Sequence, residues 1–428
     1  MDLPRIHAQR IELNNEVHAR PPPAIATPST ISYLALKSPP KNRKAERAHL
    51  EALCAALNVA GPLPSANHFH ATFKDVSLYW ERHTEFARYM FVMPTAGPGD
   101  GDSPLKALPD GWLKSLEGEV LVATQISVIP EPVVPPTADV ISSQYFSGNS
   151  IVGSIVTGGR GRAATDFVVR EDGFSRLIVW NSTMTPGQTG RTVQRLIEID
   201  SYRMMMLLAL PVARGLSTFM AQCDRDLTTV ASRLTNAAAA EEPDLLKSLL
   251  QLEAEIQRRL SDHHFRFSAA SAYYELVAQR TKDLRETRIE GLQTFEEFMD
   301  RRLAPADSTC RSVSAQLTGL SERVSRSTAS LSTRTALTRE AQNQALLETM
   351  ARRAKMQLRL QQTVEGLSVA AITYYLAGLV NYFAKGLKAG GAKLEPETLT
   401  AVAIPLMFVA VYFGMKRTRE KLKIDHED

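Results

Sequence analysis

Two long stretches without a formal charge near the C-terminus constrain this chain more than any other feature. Gly366–Ala384 reads GLSVAAITYYLAGLVNYFA, and Thr398–Met415 reads TLTAVAIPLMFVAVYFGM. A helix needs about 20 predominantly apolar residues to cross a bilayer core, and each stretch is close to that length. The run Met204–Ala213 is shorter and contains Pro211. The expected architecture is a large soluble body on a C-terminal two-helix transmembrane hairpin, 366–415, with spans at 366–384 and 398–415.

Charge placement gives the hairpin an expected orientation. Arg352, Arg353, Lys355 and Arg359 precede the first stretch, and Lys416, Arg417, Arg419, Lys421 and Lys423 follow the second. The intervening loop holds Lys385, Lys388 and Lys393, partly offset by Glu395 and Glu397. Positive-inside reasoning puts both termini in the cytoplasm and the short loop outside. The N-terminal MDLPRIHAQRIELNNEVHARPPP has no apolar core of a signal peptide, so the soluble body is expected to stay in the cytoplasm.

Bulk composition excludes some classes. Lys+Arg 50 against Asp+Glu 46 leaves a net charge of +4, too small a surplus for a nucleic-acid binder. Cys54, Cys223 and Cys310 are odd in number and far apart, which argues against a disulfide framework and fits a reducing compartment.

Along the chain the punctuation changes. Residues 1–187 are rich in Pro, Gly and β-branched residues. Strands are predicted at Ser29–Leu36, His68–Val76, Arg88–Met93, Val120–Val128, Ser150–Thr157, Thr165–Arg170 and Ser175–Asn181, the last two joined by Glu171-Asp172-Gly173-Phe174, where Asp-Gly signals a hairpin. Lys44–Leu57 has helical spacing. This predicts a cytoplasmic mixed α/β domain.

Residues 188–365 contain few breakers. Long helices are predicted at Gln188–Ala237, Asp244–Leu303 and Asp307–Glu365, with breaks at Glu241-Glu242-Pro243 and Ala304-Pro305. Leu245, Leu249, Leu252 and Ile256, and again Val313, Leu317, Leu320 and Val324, step by four and three like a coiled-coil seam. The last helix meets no Pro after Asp307 and no Gly after Gly319 until Gly366, so a stalk running into the first span is expected. The fold class expected for the whole is α+β: α/β domain, helical stalk (188–365), transmembrane hairpin and basic cytoplasmic tail (416–428).

Candidate chemistry is sparse. Glu16, His18 and Arg20 alternate in Leu13–Pro21, so on a strand they would share a face. They form either a ligand site with Arg20 as an anion clamp or a hydrogen-bonded terminal arm. His68 and His70 share a strand face with His83 downstream, but no zinc-type spacing accompanies them, and whether any metal binds is open. Trp80-Glu81-Arg82-His83-Thr84-Glu85-Phe86 reads as a salt-bridged surface segment. Gly158-Gly159-Arg160-Gly161-Arg162 lacks the Gly-Lys-Ser/Thr ending of a phosphate loop and reads as a basic hairpin tip. No catalytic constellation and no cofactor motif is found.

Within the first span, Tyr374, Gly378 and Asn381 fall at i, i+4 and i+7 on one helix face. Polar intramembrane groups face protein or water, and small residues let helices approach. That face either lines a pore or packs an anchor. Glu395 and Glu397 are candidate residues of the outer loop.

The blocks LNNEVHARPP, WERHTEF, TDFVVREDGF and GRTVQRLIEIDSYRMMMLLALPVAR resemble an uncharacterised bacterial family of predicted membrane-anchored proteins. That resemblance implies an anchor and licenses no catalytic residue. The architecture also resembles the CorA class of divalent-cation channels, with Pro396-Glu397 before the second span and Lys416-Arg417 after it. This implies a homo-oligomer that conducts a divalent cation. The class ends its first span with Gly-Met-Asn, whereas this chain reads Val380-Asn381-Tyr382-Phe383. Two functional expectations follow: a homo-oligomeric cation conduit, or a membrane-anchored regulatory or scaffold protein without transport. An enzyme ranks behind both, since only Glu16, His18 and Arg20 suggest one.

Overall fold

The computed structural model describes residues 4–11, 13–14, 22–64, 66–97, 103–391 and 395–424. Among the described residues nine strands form one sheet: β1 Ser29–Lys37, β2 His68–Phe73, β3 Val76–Arg82, β4 Phe86–Pro94, β5 Glu119–Pro130, β6 Val152–Val156, β7 Gly161–Thr165, β8 Ser175–Asn181 and β9 Thr287–Arg288. The α-helices that accompany them include α1 Arg43–Ala56, α2 Ala138–Tyr145, α3 Pro186–Leu207, α4 Ala209–Asn236, α5 Glu242–Asp283, α6 Phe295–Ala389 and α7 Pro396–Ile424. The chain divides into two compact units. One holds Met1–Ala237 with Asp244–Thr328, and the other holds Ala238–Pro243 with Ala329–Asp428.

In the first unit the strand order is β2-β3-β4-β1-β5-β8-β7-β6-β9. Every pairing is antiparallel except β5 with β8. Successive side chains on a strand point to opposite faces, so a strand covered on both faces reads as continuously apolar. β1 is the example: Ile31 and Tyr33 belong to one core and Leu34 and Leu36 to the other. On the first face, Ile31, Tyr33, Met90, Ile126 and Val179 pack with α3, α4, α5 and α6. On the opposite face, α1 brings Leu50 and Leu53 against Trp80, Tyr89 and Phe91, and α2 brings Ile141 against Trp180 and Ile178.

The α6 seam expected from spacing is buried. Val313, Leu317, Leu320 and Val324 are all 5% exposed or less, and full burial of each such side chain contributes about 1.5–3 kcal/mol. Leu245, Leu249 and Ile256 on α5 are buried as well.

Several boundaries differ from expectation for identifiable reasons. The stretch His68–Val76 is not one strand: Lys74 takes φ +50°, the chain reverses, and Val76–Arg82 forms β3, pairing with β2 from Phe73↔Val76. Thr165–Arg170 is not a strand; β7 ends at Thr165 and pairs Gly161↔Asn181 through Thr165↔Leu177. The Asp172-Gly173 turn does form, with Gly173 at φ +82° and its N–H on the Arg170 carbonyl at 2.9 Å. Gly158 and Gly159 form the β6–β7 hairpin tip with φ +64° and +91°.

The expected helix Gln188–Ala237 starts earlier and is interrupted once. Thr185 and Gln188 form a reciprocal cap around Pro186, a position where proline lacks no needed donor. Pro211 has no N–H for the Leu207 carbonyl, and helix α3 ends there at Leu207. The expected break at Ala304-Pro305 is not observed: Pro305 lies inside α6, exposed, between the buried Leu303 and Ala306. The chain breaks earlier, after Asp283, where β9 pairs with β6 and becomes the edge of the sheet. Helix α6 then starts on two devices. Thr294 and Glu297 exchange side-chain and backbone bonds at 3.2 Å each. The Glu286 carboxylate accepts the Phe295 and Glu296 N–H groups at 3.0 and 2.8 Å.

In the second unit the C-terminal part of α6 and helix α7 carry the two apolar stretches. Their large side chains are exposed: Tyr375 73%, Leu379 65%, Val402 64% and Leu406 68%. Among the described residues three helical segments are long and apolar enough to cross a membrane: Pro186–Thr235, Phe295–Ala389 and Pro396–Arg417. The first has another use for its apolar residues, because Val193, Leu196, Ile197, Ile199, Met205 and Met206 are core of the first unit.

Candidate functional site

Helical spacing places Tyr374, Gly378 and Asn381 on one face of α6, and all three line a single cavity of about 650 Å³. Tyr382 and Lys385 extend it along α6, and Thr400 and Ile404 close it from α7. The lining is mixed: phenols, one carboxamide, one ammonium and one hydroxyl against aliphatic walls. Tyr374 is 77% exposed, and a Cβ added at Gly378 would meet nothing within 4 Å. The small residue is therefore not demanded by any contact inside the chain. Glu395 and Glu397 do not line this cavity. Glu395 approaches Lys388 at 3.9 Å, and Glu397 sits in the first turn of α7, where a negative charge favours the helix dipole.

The first unit holds a cluster of buried charges that residue patterns did not announce. Arg88 on β4 is 7% exposed. Its Nη2 donates to Glu81 on the neighbouring strand at 2.6 Å, and its Nη1 donates to Glu198 on α3 at 3.3 Å. Glu198 also accepts from Arg280 on α5 and from Gln194 at 2.8 Å. Burial alone would disfavour the Arg88 charge. The negative charges of Glu81 and Glu198, with Tyr33, outweigh it and push the guanidinium pKa up. Burial likewise pushes the Tyr33 phenol up, and its hydroxyl bonds Ser201 at 2.7 Å. A second bridge joins the β3–β4 turn to α5: Arg266 grips both Glu85 oxygens at 2.9 Å, and Tyr273 donates to the same carboxylate at 3.1 Å. Each charge has its counter-charge and no nucleophile is poised among them. The cluster ties sheet to helices.

The other residues singled out by sequence separate. His70 stacks on Tyr79 at 4.4 Å and His83 on Phe86 at 4.3 Å. Among the described residues no three His, Cys, Asp or Glu side chains converge as a metal site. The segment Trp80–Phe86 is not a surface segment throughout, since Trp80 and Arg82 are 2% and 7% exposed. Glu16, His18 and Arg20 lie outside the described residues.

No curated protein matches this chain. A family model described as a protein of unknown function (DUF3422) matches residues 5–422, nearly the whole length. The chain with this sheet, these long helices and this exposed C-terminal apolar pair belongs to that family of unknown function.

Proposed function

We propose that this protein is embedded in the bacterial inner membrane through 366–384 and 398–415, with both termini cytoplasmic, and acts as a homo-oligomeric cation conduit of CorA-like architecture. The observation that carries this reading is the Tyr374–Gly378–Asn381 face. It is polar and small-sided within an apolar exposed helix, and Gly378 leaves room that no residue of the same chain fills. Bare apolar side chains such as Leu379 and Leu406 are stable in hydrocarbon and costly in water. Two helices cannot enclose a pore, so several copies are needed, first spans inward and second spans outward. One unbroken helix, Phe295–Ala389, carries chain from the soluble unit into the first span, which suits transmission of a soluble-domain state to the pore.

The test is ion flux through the full-length chain in reconstituted vesicles. Asn381→Leu removes the single carboxamide of the face, and flux is expected to fall at least about tenfold. Unchanged flux contradicts the conduit. A second reading, a membrane-tethered regulatory or scaffold protein, is favoured by one departure: Val380-Asn381-Tyr382-Phe383 stands where the CorA class carries Gly-Met-Asn. Replacing both spans by an unrelated hairpin separates the two, because a scaffold keeps its cellular function and a conduit loses it.

A further inference from the structure

At the β3–β4 end of the sheet lies a cleft of about 390 Å³. Its lining includes the basic Arg43, Arg82 and His83 and the aromatic Phe86, Tyr202 and Tyr273. Among the described residues no carboxylate lines it. The nearby carboxylates are already engaged: Glu46 holds Arg82, Glu81 holds Arg88 and approaches His83 at 3.9 Å, and Glu85 holds Arg266 and Tyr273.

Arg82 carries the argument. Strand alternation puts it on the inward face of β3 with Val76, Leu78 and Trp80. Its Nη1 donates to Glu46, which also accepts from Trp80 Nε1 and Ser38 Oγ at 3.1 Å each. Its Nε and Nη2 are buried without an acceptor. Buried donors are paired in nearly all proteins, and an unpaired pair on a guanidinium is costly. Arg43, exposed at the first position of α1, makes no ion pair among the described residues. Asn42 before it makes no side-chain cap, so the positive end of that helix dipole adds to the same field. Burial pushes the Tyr202 phenol up to about 12, so at neutral pH it is a proton donor.

We propose that this cleft binds a small-molecule oxyanion, a phosphate or carboxylate group, clamped by Arg43 and Arg82 with Tyr202 as a neutral donor. Guanidinium forks match both groups in geometry and charge, and the aromatic walls accept the body of the molecule. This binding holds whether or not the C-terminal helices conduct ions.

The experiment is thermal unfolding of the full-length protein in detergent, titrated with inorganic phosphate or with citrate at an ionic strength held constant by sodium chloride. A saturable rise in Tm with at least one anion is expected. A response to phosphate alone assigns a phosphorylated ligand, and a response to citrate alone assigns a carboxylate. Arg43→Gln, at an exposed position that does not endanger folding, is expected to raise the half-saturating concentration about tenfold. Arg326→Gln, an exposed arginine paired with Glu322 on α6, is expected to leave it unchanged. No saturable rise with either anion, or an equal response from Arg43→Gln and the wild type, overturns the proposal.

Discussion

Arg88 shows how much a single buried side chain can hold in this protein. It stands between Glu81 on the sheet and Glu198 on a helix, with Arg280 completing the set. Removing one member of a buried ionic group leaves the others charged and unsolvated, which costs about 3–5 kcal/mol. Arg88→Met is therefore expected to lower stability by that amount in urea unfolding. The double variant Arg88→Met with Glu81→Gln should recover part of the loss, since Glu81 is the carboxylate left without its close partner, whereas Glu198 keeps Arg280. A loss below about 1 kcal/mol would mean that the charges are solvated and the network is not buried. This cluster was not legible in the sequence, because Arg88, Glu198 and Arg280 come from distant segments and an isolated charge reads as surface. Arg82 was closer to legible. Val76, Leu78, Trp80 and Arg82 alternate on one face, and that period alone carries the arginine inward with the tryptophan.

At the scale of elements, strands in apolar segments and the buried seam of α6 were legible from period and composition. Ser175–Asn181 is a strand with the expected bounds, and Val313, Leu317, Leu320 and Val324 do bury. Breaks were read from proline alone, and that misplaced one. Pro305 sits where buried neighbours on both sides, Leu303 and Ala306, keep the helix together, so tertiary packing overrides the local cost. The true start of α6 did have a signature, Thr294 followed three residues later by Glu297, a reciprocal cap that the proline obscured. Because Pro305 costs the helix a hydrogen bond and clashes with the preceding turn, Pro305→Ala is expected to stabilise the protein by about 1–3 kcal/mol. The check is the urea midpoint with an unchanged slope. A lower midpoint would mean that the chain is not helical through this position.

At the scale of the whole molecule, the sequence carried the presence of two exposed apolar stretches and the polar face within the first. It did not carry the third apolar segment, α3 with α4, whose hydropathy matches a span while its residues build the core. Hydropathy reports transfer out of water and is blind to whether lipid or protein receives the side chain. The proposed conduit requires that the Tyr374–Gly378–Asn381 face meet the same face of other copies. Cys54, Cys223 and Cys310 are buried, so cysteines introduced in the apolar helices report on their own neighbours. The most direct test is cross-linking of Gly378→Cys, Asn381→Cys and, on the second helix, Leu406→Cys in membranes with a short bis-maleimide. Covalent products at multiples of the 47.2 kDa chain are expected from Gly378→Cys and Asn381→Cys and not from Leu406→Cys; monomers alone at both first-helix positions would contradict the account.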